Sequence, residues 1–114
     1  MAERRIFELR TYRAHPGKLD ALVKHFRDDD LDLFERHHMD MVAFWVAKDA
    51  EGQPTDSFVY LLAFESQDAA KAAWKAFLAD PDFTERNRAS QSDGPLVAGA
   101  ESVFLEPTDY SPLV

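Results

Sequence analysis

The segment from Ser57 to Ser66 is apolar on both sides of a predicted β-strand, and this feature limits the choice of fold. Its residues of one parity are Phe58, Tyr60, Leu62 and Phe64, and those of the other parity are Val59, Leu61, Ala63 and Glu65. A strand with one side in water alternates apolar and polar residues instead. The run is short and rich in β-branched and aromatic residues, which favours a strand over a buried helix. It therefore predicts a central strand that is covered on both faces.

Composition limits the class of protein and its partners. A chain of 114 residues with 46% hydrophobic residues forms one domain with a single core. The net charge of −8 argues against a nucleic-acid partner and against binding to an anionic membrane surface. No cysteine is present, which excludes disulfides and thiolate chemistry and fits a cytoplasmic location. No apolar run approaches the roughly 20 residues that span a bilayer, and the N-terminus lacks the core of a signal peptide.

Hydrophobic periodicity predicts the order of the elements along the chain. Alternating residues predict strands, spacing of three and four predicts helices, and Gly or Pro residues mark the turns. The predicted strands are residues 4–13, 41–48, 57–66 and 97–106. The predicted helices are residues 18–28 with a bend or second helical piece to about His37, a helix after an N-cap at Ser66 that stops at Asp80-Pro81, and a short helix within 82–92. We assign residues 1–106 to one domain and residues 107–114 to a C-terminal arm.

This order, β-α-β-β-α-β, predicts an α+β fold of the ferredoxin-like kind, with a four-stranded antiparallel sheet and its helices on one face. The other sheet face is bare in a single chain, although three strands carry apolar residues on both sides. An exposed apolar face of that size exceeds what monomers tolerate. We therefore expect a homodimer that packs sheet against sheet.

Five stretches together resemble the NIPSNAP family. They are FELRTYRAHPGKLDAL at 7–22, VAFW at 42–45, VYLLAFES at 59–66, WKAFLADPDF at 74–83 and SVFLEPTDYSP at 102–112. The resemblance implies the dimeric α+β-barrel superfamily, which agrees with the predicted topology. The chain departs from the family at His38-Met39-Asp40, where relatives often carry a glycine after the histidine. The wider superfamily includes cofactor-independent monooxygenases, haem-degrading enzymes and isomerases, but a shared fold is a weak guide to chemistry.

Barrels of this kind take ligands between the helices and the sheet, in a space that needs aromatic residues and a few polar groups. Trp45 and Trp74 are candidate walls, Tyr60 can supply a hydroxyl, and Arg10 or Arg86 can hold an anionic group. The candidate pocket residues are Arg10, Tyr12, His25, Trp45, Tyr60, Trp74 and Arg86. The alternative is that both tryptophans and Tyr60 are core or dimer contacts, with Arg10 paired to Glu8 or to a carboxylate on the partner chain.

Other kinds of site have little support in the sequence. No Ser/His/Asp triad, no HExxH motif and no phosphate-binding glycine loop is present, so we assign no catalytic residue, no metal and no cofactor. His15, His37 and His38 are expected in structural or solvent-exposed positions. Asp28, Asp29 and Asp30 are consecutive and cannot share one ion on a helix, so we interpret them as a solvated face.

Two functional hypotheses follow. In the first, the protein binds a small hydrophobic or anionic aromatic molecule between helices and sheet, without catalysis. In the second, it is a cofactor-free monooxygenase or isomerase that acts on an aromatic, polyketide-like substrate. Haem degradation is a third and weaker option, because it requires a histidine such as His25 or His37 facing the pocket.

Overall fold

The computed structural model describes residues 4–114 and contains one sheet with helices on one side. The strands are β1 (Ile6–Ala14), β2 (Asp40–Lys48), β3 (Pro54–Phe64) and β4 (Val97–Leu105). The helices are α1 (Leu19–His25), a π-helical segment (Phe26–Asp30), α2 (Leu31–Arg36), α3 (Gln67–Ala79) and α4 (Pro81–Ser90).

The sheet has four antiparallel strands in the order β2-β3-β1-β4, which confirms the predicted ferredoxin-like α+β fold. β3 is a central strand, as its sequence predicts, but it begins at Pro54 rather than Ser57. Pairing with β2 extends back to Pro54 opposite Lys48, so the connecting turn is shorter than predicted.

The first helical region is continuous from Leu19 to Arg36, with the π-helical segment in its middle. The predicted bend near Asp28 is therefore a stretch of wider helix rather than a break. α3 begins as predicted, because the Ser66 hydroxyl accepts a hydrogen bond from the Ala69 backbone N–H at 3.0 Å. Asp80 caps α4 in the same way, through the N–H of Asp82 at 2.9 Å.

The helices and one sheet face enclose the main core. Its largest fully buried side chains include Tyr60, Phe34, Leu22, Leu33 and Leu62. Aromatic rings dominate the packing around Phe26, whose ring centroid lies 4.7 Å from Phe58 and 5.2 Å from Tyr60. Such contacts stabilise a core beyond the apolar area that they bury.

The other sheet face carries a second, smaller cluster formed by Phe7, Leu61 and Ala63, with Leu9 and Val42 packed against it. Strand register puts Trp45 beside Val59 and Val103 beside Leu9 on this face. Both remain 48% exposed in the single chain. The apolar second face that the sequence predicts is therefore present, and we call it the open sheet face.

Residues 107–114 form no helix or strand, and the Arg5 guanidinium donates to the Val114 carbonyl oxygen at 3.0 and 3.1 Å. Within residues 4–114, none of the helices has the length and apolar character needed to cross a bilayer.

Candidate functional site

A cavity of about 520 Å³ lies between the sheet and the two helical layers. The sheet contributes its floor through Arg10, Tyr12 and Tyr60. The first helical region forms one wall, and α3 with α4 forms the other. Most of its lining is apolar, namely Leu22, Phe26, Phe34, Trp74, Phe77, Leu78, Phe83, Pro95, Leu96, Val97 and Ala100. This size and composition are typical of small-molecule sites.

A buried carboxylate organises the polar part of the floor. Glu8 is only 2% exposed, and its two oxygens accept hydrogen bonds from three side chains. The donors are Arg10 Nη1 at 2.7 Å, Trp74 Nε1 at 2.7 Å and Ser102 Oγ at 2.5 Å. The Arg10 guanidinium also lies over the Trp74 ring, 4.2 Å from its centroid. Glu8 thus neutralises Arg10 and fixes the Trp74 ring at the cavity wall.

The Tyr12 hydroxyl is the polar group of the cavity floor that can act as a hydrogen-bond donor. Its oxygen accepts hydrogen bonds from Arg10 Nε at 3.3 Å, Arg10 Nη2 at 3.0 Å and the Tyr60 hydroxyl at 2.9 Å. Burial raises the pKa of Tyr60 well above its ordinary value, so Tyr60 stays a neutral donor. Within residues 4–114, no acceptor takes the hydrogen of the Tyr12 hydroxyl itself. It can therefore donate to a molecule in the cavity.

A second polar group lines the cavity where α1 meets the π-helical segment. The His25 ring is 8% exposed, with Nδ1 3.0 Å from Asp29 Oδ2 and Nε2 3.4 Å from Asp30 Oδ2. Asp30 is 6% exposed, and its Oδ1 is buried without a hydrogen-bond partner among the described residues. An unpaired buried carboxylate oxygen is costly, so its presence here requires an explanation.

Burial raises the pKa of Asp30 to about 6, against the opposing influence of His25 and Arg86 and with a further contribution from Asp29. Near neutral pH this carboxyl is mostly ionised, yet it holds a proton more strongly than an exposed aspartate. Its location in a π-helical segment is consistent with a site, since such segments often occur at functional positions.

The structure brings five of the predicted pocket residues together. Arg10, Tyr12, His25, Tyr60 and Trp74 all line the cavity. Trp45 does not, because its pairing with Val59 puts it on the open sheet face. Arg86 lies outside the lining, where its Nη1 donates to the Asp29 carbonyl oxygen at 3.4 Å and to Asp32 Oδ2 at 3.0 Å, joining α4 to the first helical region.

Two residues of the site did not enter the predicted set. Glu8 was considered only as a partner of Arg10, and the hydrogen bond between them is present. Asp30 was interpreted as part of a solvated face, which is wrong. The sequence does contain a signal, because Asp30 lies four residues after Phe26 and four before Phe34, on the apolar stripe of the helix.

The other histidines lie outside the cavity lining. His37 Nε2 contacts Asp80 Oδ2 at 2.7 Å, which ties the end of α2 to the start of α4. His38 is at the end of α2 with a φ of +56°. Within residues 4–114, no group of three or more histidine and acidic side chains has the arrangement of a metal site.

Comparison with known proteins gives one family. The NIPSNAP family model matches residues 7–112. The crystal structure of a NIPSNAP family protein with unknown function from Agrobacterium tumefaciens is 24% identical and superposes with a TM-score of 0.83. That match covers 100% of this chain and 97% of the other. No curated protein matches the chain.

More distant structures share the fold alone. An uncharacterized NIPSNAP-like domain protein from Burkholderia xenovorans has a TM-score of 0.83 at 20% identity, covering 97% of this chain and 91% of its own. A "putative Antibiotic biosynthesis monooxygenase" from Chloroflexus aurantiacus has a TM-score of 0.56 at 20% identity, covering 96% of this chain and 99% of its own.

Proposed function

The chain belongs to the NIPSNAP family, and from that premise we propose that it binds a small, largely apolar molecule in the cavity between sheet and helices. The observation that carries this proposal is a cavity of about 520 Å³ whose largely apolar lining also contains a smaller number of polar side chains. Closed cores fill such a space with side chains, because unfilled volume costs stability.

The charges around the cavity favour a neutral ligand over an anionic one. The positive charge of Arg10 is already neutralised by Glu8 at 2.7 Å, and Asp30 adds a negative charge at the opposite wall. The Tyr12 hydroxyl suits an acceptor such as a ketone or ether oxygen. An aromatic ketone satisfies both requirements, since its rings fill the apolar space and its oxygen accepts from Tyr12.

The test uses the two tryptophans of the chain, which lie on opposite sheet faces. In a ¹⁵N-labelled sample each indole N–H gives one NMR signal, and Trp45→Phe and Trp74→Phe variants assign them. We expect titration with 2-acetylnaphthalene to shift the Trp74 signal saturably and to leave the Trp45 signal in place. The matched anion, 2-naphthoate, should bind several-fold more weakly.

A shift of both signals together, or of Trp45 alone, would contradict binding in the cavity and would indicate association with the open sheet face. Native mass spectrometry of protein purified without added ligand provides a second readout, because a reproducible extra mass would identify a resident molecule.

We further propose that two copies of the chain pair through the open sheet face. Supporting this are the apolar residues that all four strands present there and the exposure of Trp45, Val103 and Leu105. Covering that surface with a second copy stabilises the pair through burial of apolar area.

A second candidate function is a cofactor-free monooxygenase or isomerase that acts on an aromatic substrate. The observation that favours catalysis is the buried, partly unpaired carboxylate of Asp30 beside His25. The fold similarity to a protein named as a monooxygenase carries little weight for the reaction, because the same fold hosts many chemistries.

A further inference from the structure

The cavity contains the components of a proton-transfer site. Asp30 supplies an acceptor at one wall, and the Tyr12 hydroxyl supplies a donor on the sheet floor. Phe26 also lines the cavity, and its ring centroid lies 5.9 Å from that of Tyr12 and 6.3 Å from that of His25, which contacts Asp30 Oδ2 at 3.4 Å. One small molecule packed against Phe26 can therefore reach both groups.

We propose that the Asp30 carboxylate is a general base that removes a proton from a carbon next to a carbonyl group, while the Tyr12 hydroxyl donates to the carbonyl oxygen. This inference rests on the proposed binding function and names the substrate class as carbon acids, such as aromatic ketones that form enolates. Asp30 lines the cavity, so its carboxylate contacts a substrate bound there.

The step balances without a cofactor. The proton moves from carbon to the Asp30 carboxylate, the C–H electron pair becomes the C=C bond of the enolate, and the π pair of the carbonyl moves onto oxygen. Return of the proton to a different carbon gives an isomer, and no oxidant or reductant is consumed. Negative charge develops on the oxygen, where a fixed hydroxyl donor stabilises it.

The surroundings of each group fit its role. A carboxyl with a pKa of about 6 is ionised at neutral pH and is a stronger base than an exposed aspartate. His25, which also contacts Asp29, lies 3.4 Å from Asp30 in the helical region, and Arg86 on α4 lies outside the cavity lining but close enough to lower the pKa of Asp30. On the floor, two N–H groups of Arg10 and the hydroxyl of Tyr60 donate to Tyr12, which polarises its O–H bond.

The probe that tests this site is 5-nitrobenzisoxazole. A base removes its C3 proton, the C–H pair forms the nitrile, and the N–O bond breaks to release a coloured 2-cyano-4-nitrophenolate. We expect saturable turnover whose rate rises with pH through about 6 and then levels off, as the ionisation of Asp30 requires. Asp30→Asn should lower kcat/KM about 100-fold or more, and Tyr12→Phe about tenfold.

Asp28→Asn is the matched control, because Asp28 lies two residues away but pairs with Lys24 on the exposed side of the helix. It should turn over the probe at the wild-type rate. The Trp74 signal with 2-acetylnaphthalene shows whether each variant still folds and binds. If Asp30→Asn binds 2-acetylnaphthalene normally and turns over the probe as fast as wild type, Asp30 is not the base, and the proposed binding function still stands. If the wild-type protein does not bind 2-acetylnaphthalene, the proposed binding function is itself wrong.

Discussion

Glu8 shows how a single residue can support a cavity without lining it. Its carboxylate accepts hydrogen bonds from Arg10, Trp74 and Ser102, which come from β1, α3 and β4. A buried charge of this kind is tolerated only when paired and hydrogen-bonded. Glu8 therefore determines both the charge and the shape of the cavity floor.

We expect Glu8→Gln to lower the free energy of unfolding by about 2 to 4 kcal/mol, because it leaves Arg10 part-buried without a charged partner. Urea denaturation measures this change. The control is Glu85→Gln, which breaks the exposed pair with Arg88 and should cost less than about 0.5 kcal/mol. Equal effects at the two positions would contradict the role given to Glu8.

Asp30 should make the protein less stable at neutral pH than it would be with an uncharged residue. Folding raises the pKa of this carboxyl from 3.8 to about 6, so the native state binds more protons than the unfolded state between these values. The contribution of Asp30 to the free energy of unfolding therefore becomes more favourable as the pH falls from 7 towards 4. Its ionisation above pH 6 lowers that free energy.

We expect Asp30→Asn to stabilise the protein at pH 8 by about 2 to 3 kcal/mol more than at pH 4, where the wild-type carboxyl is already protonated. Urea denaturation of both proteins at the two pH values tests this, and subtracting wild type from variant removes the contribution of other groups. A difference that does not change with pH would mean that Asp30 titrates as an ordinary exposed aspartate. Stability gained together with activity lost is the pattern of a functional residue.

At the scale of elements, the end of α2 contains a left-handed residue, His38. The Met39 N–H donates to the Phe34 carbonyl oxygen at 2.9 Å and the His38 N–H to that of Glu35 at 3.1 Å. This is the Schellman arrangement, whose left-handed residue is usually glycine. His38 occupies it with a φ of +56°, a conformation that is strained for residues with a Cβ atom.

We expect His38→Gly to be more stable than His38→Ala by about 1 kcal/mol, because only glycine removes the steric cost of the left-handed conformation. Thermal and urea unfolding of the two variants measure the difference. If alanine proved equal to glycine, the helix end would have to relax into another backbone conformation in solution.

At the scale of the whole molecule, the open sheet face is the surface of the proposed dimer. Adjacent residues of β2 provide a matched pair for a test, since Trp45 is 48% exposed on the open face and Val46 is 38% exposed on the other side. In the proposed dimer, a charge at position 45 is buried in the interface, whereas a charge at 46 stays in water.

We expect Trp45→Lys to dissociate the dimer, and Val46→Lys to leave it intact. Sedimentation velocity over a range of concentrations gives the mass of each variant. A wild-type protein that sediments as one chain at all concentrations would contradict the proposed dimer, as would equal behaviour of the two variants.

Local patterns in the sequence were sufficient for the architecture. Each of four local signals specifies a conformation: the apolar residues on both sides of β3, the helical spacing before Phe26, the Ser66 cap and the turn residues. The order of the resulting elements is then compatible with only a few chain topologies. For the same reason, the row Glu8, Arg10 and Tyr12 could be predicted as one face of β1. The parity rule could not decide which side of the sheet that face would occupy.

Only the tertiary structure decided which side chains share the cavity. Strand register put Trp45 on the open sheet face, whereas Trp74 lines the cavity from α3 on the other side of the sheet, although both looked like pocket walls in the sequence. Packing of the π-helical segment against the core turned Asp30 inward, out of an acidic run that looked exposed. Register and packing depend on contacts between residues distant in the chain, and local periodicity carries no information about those contacts.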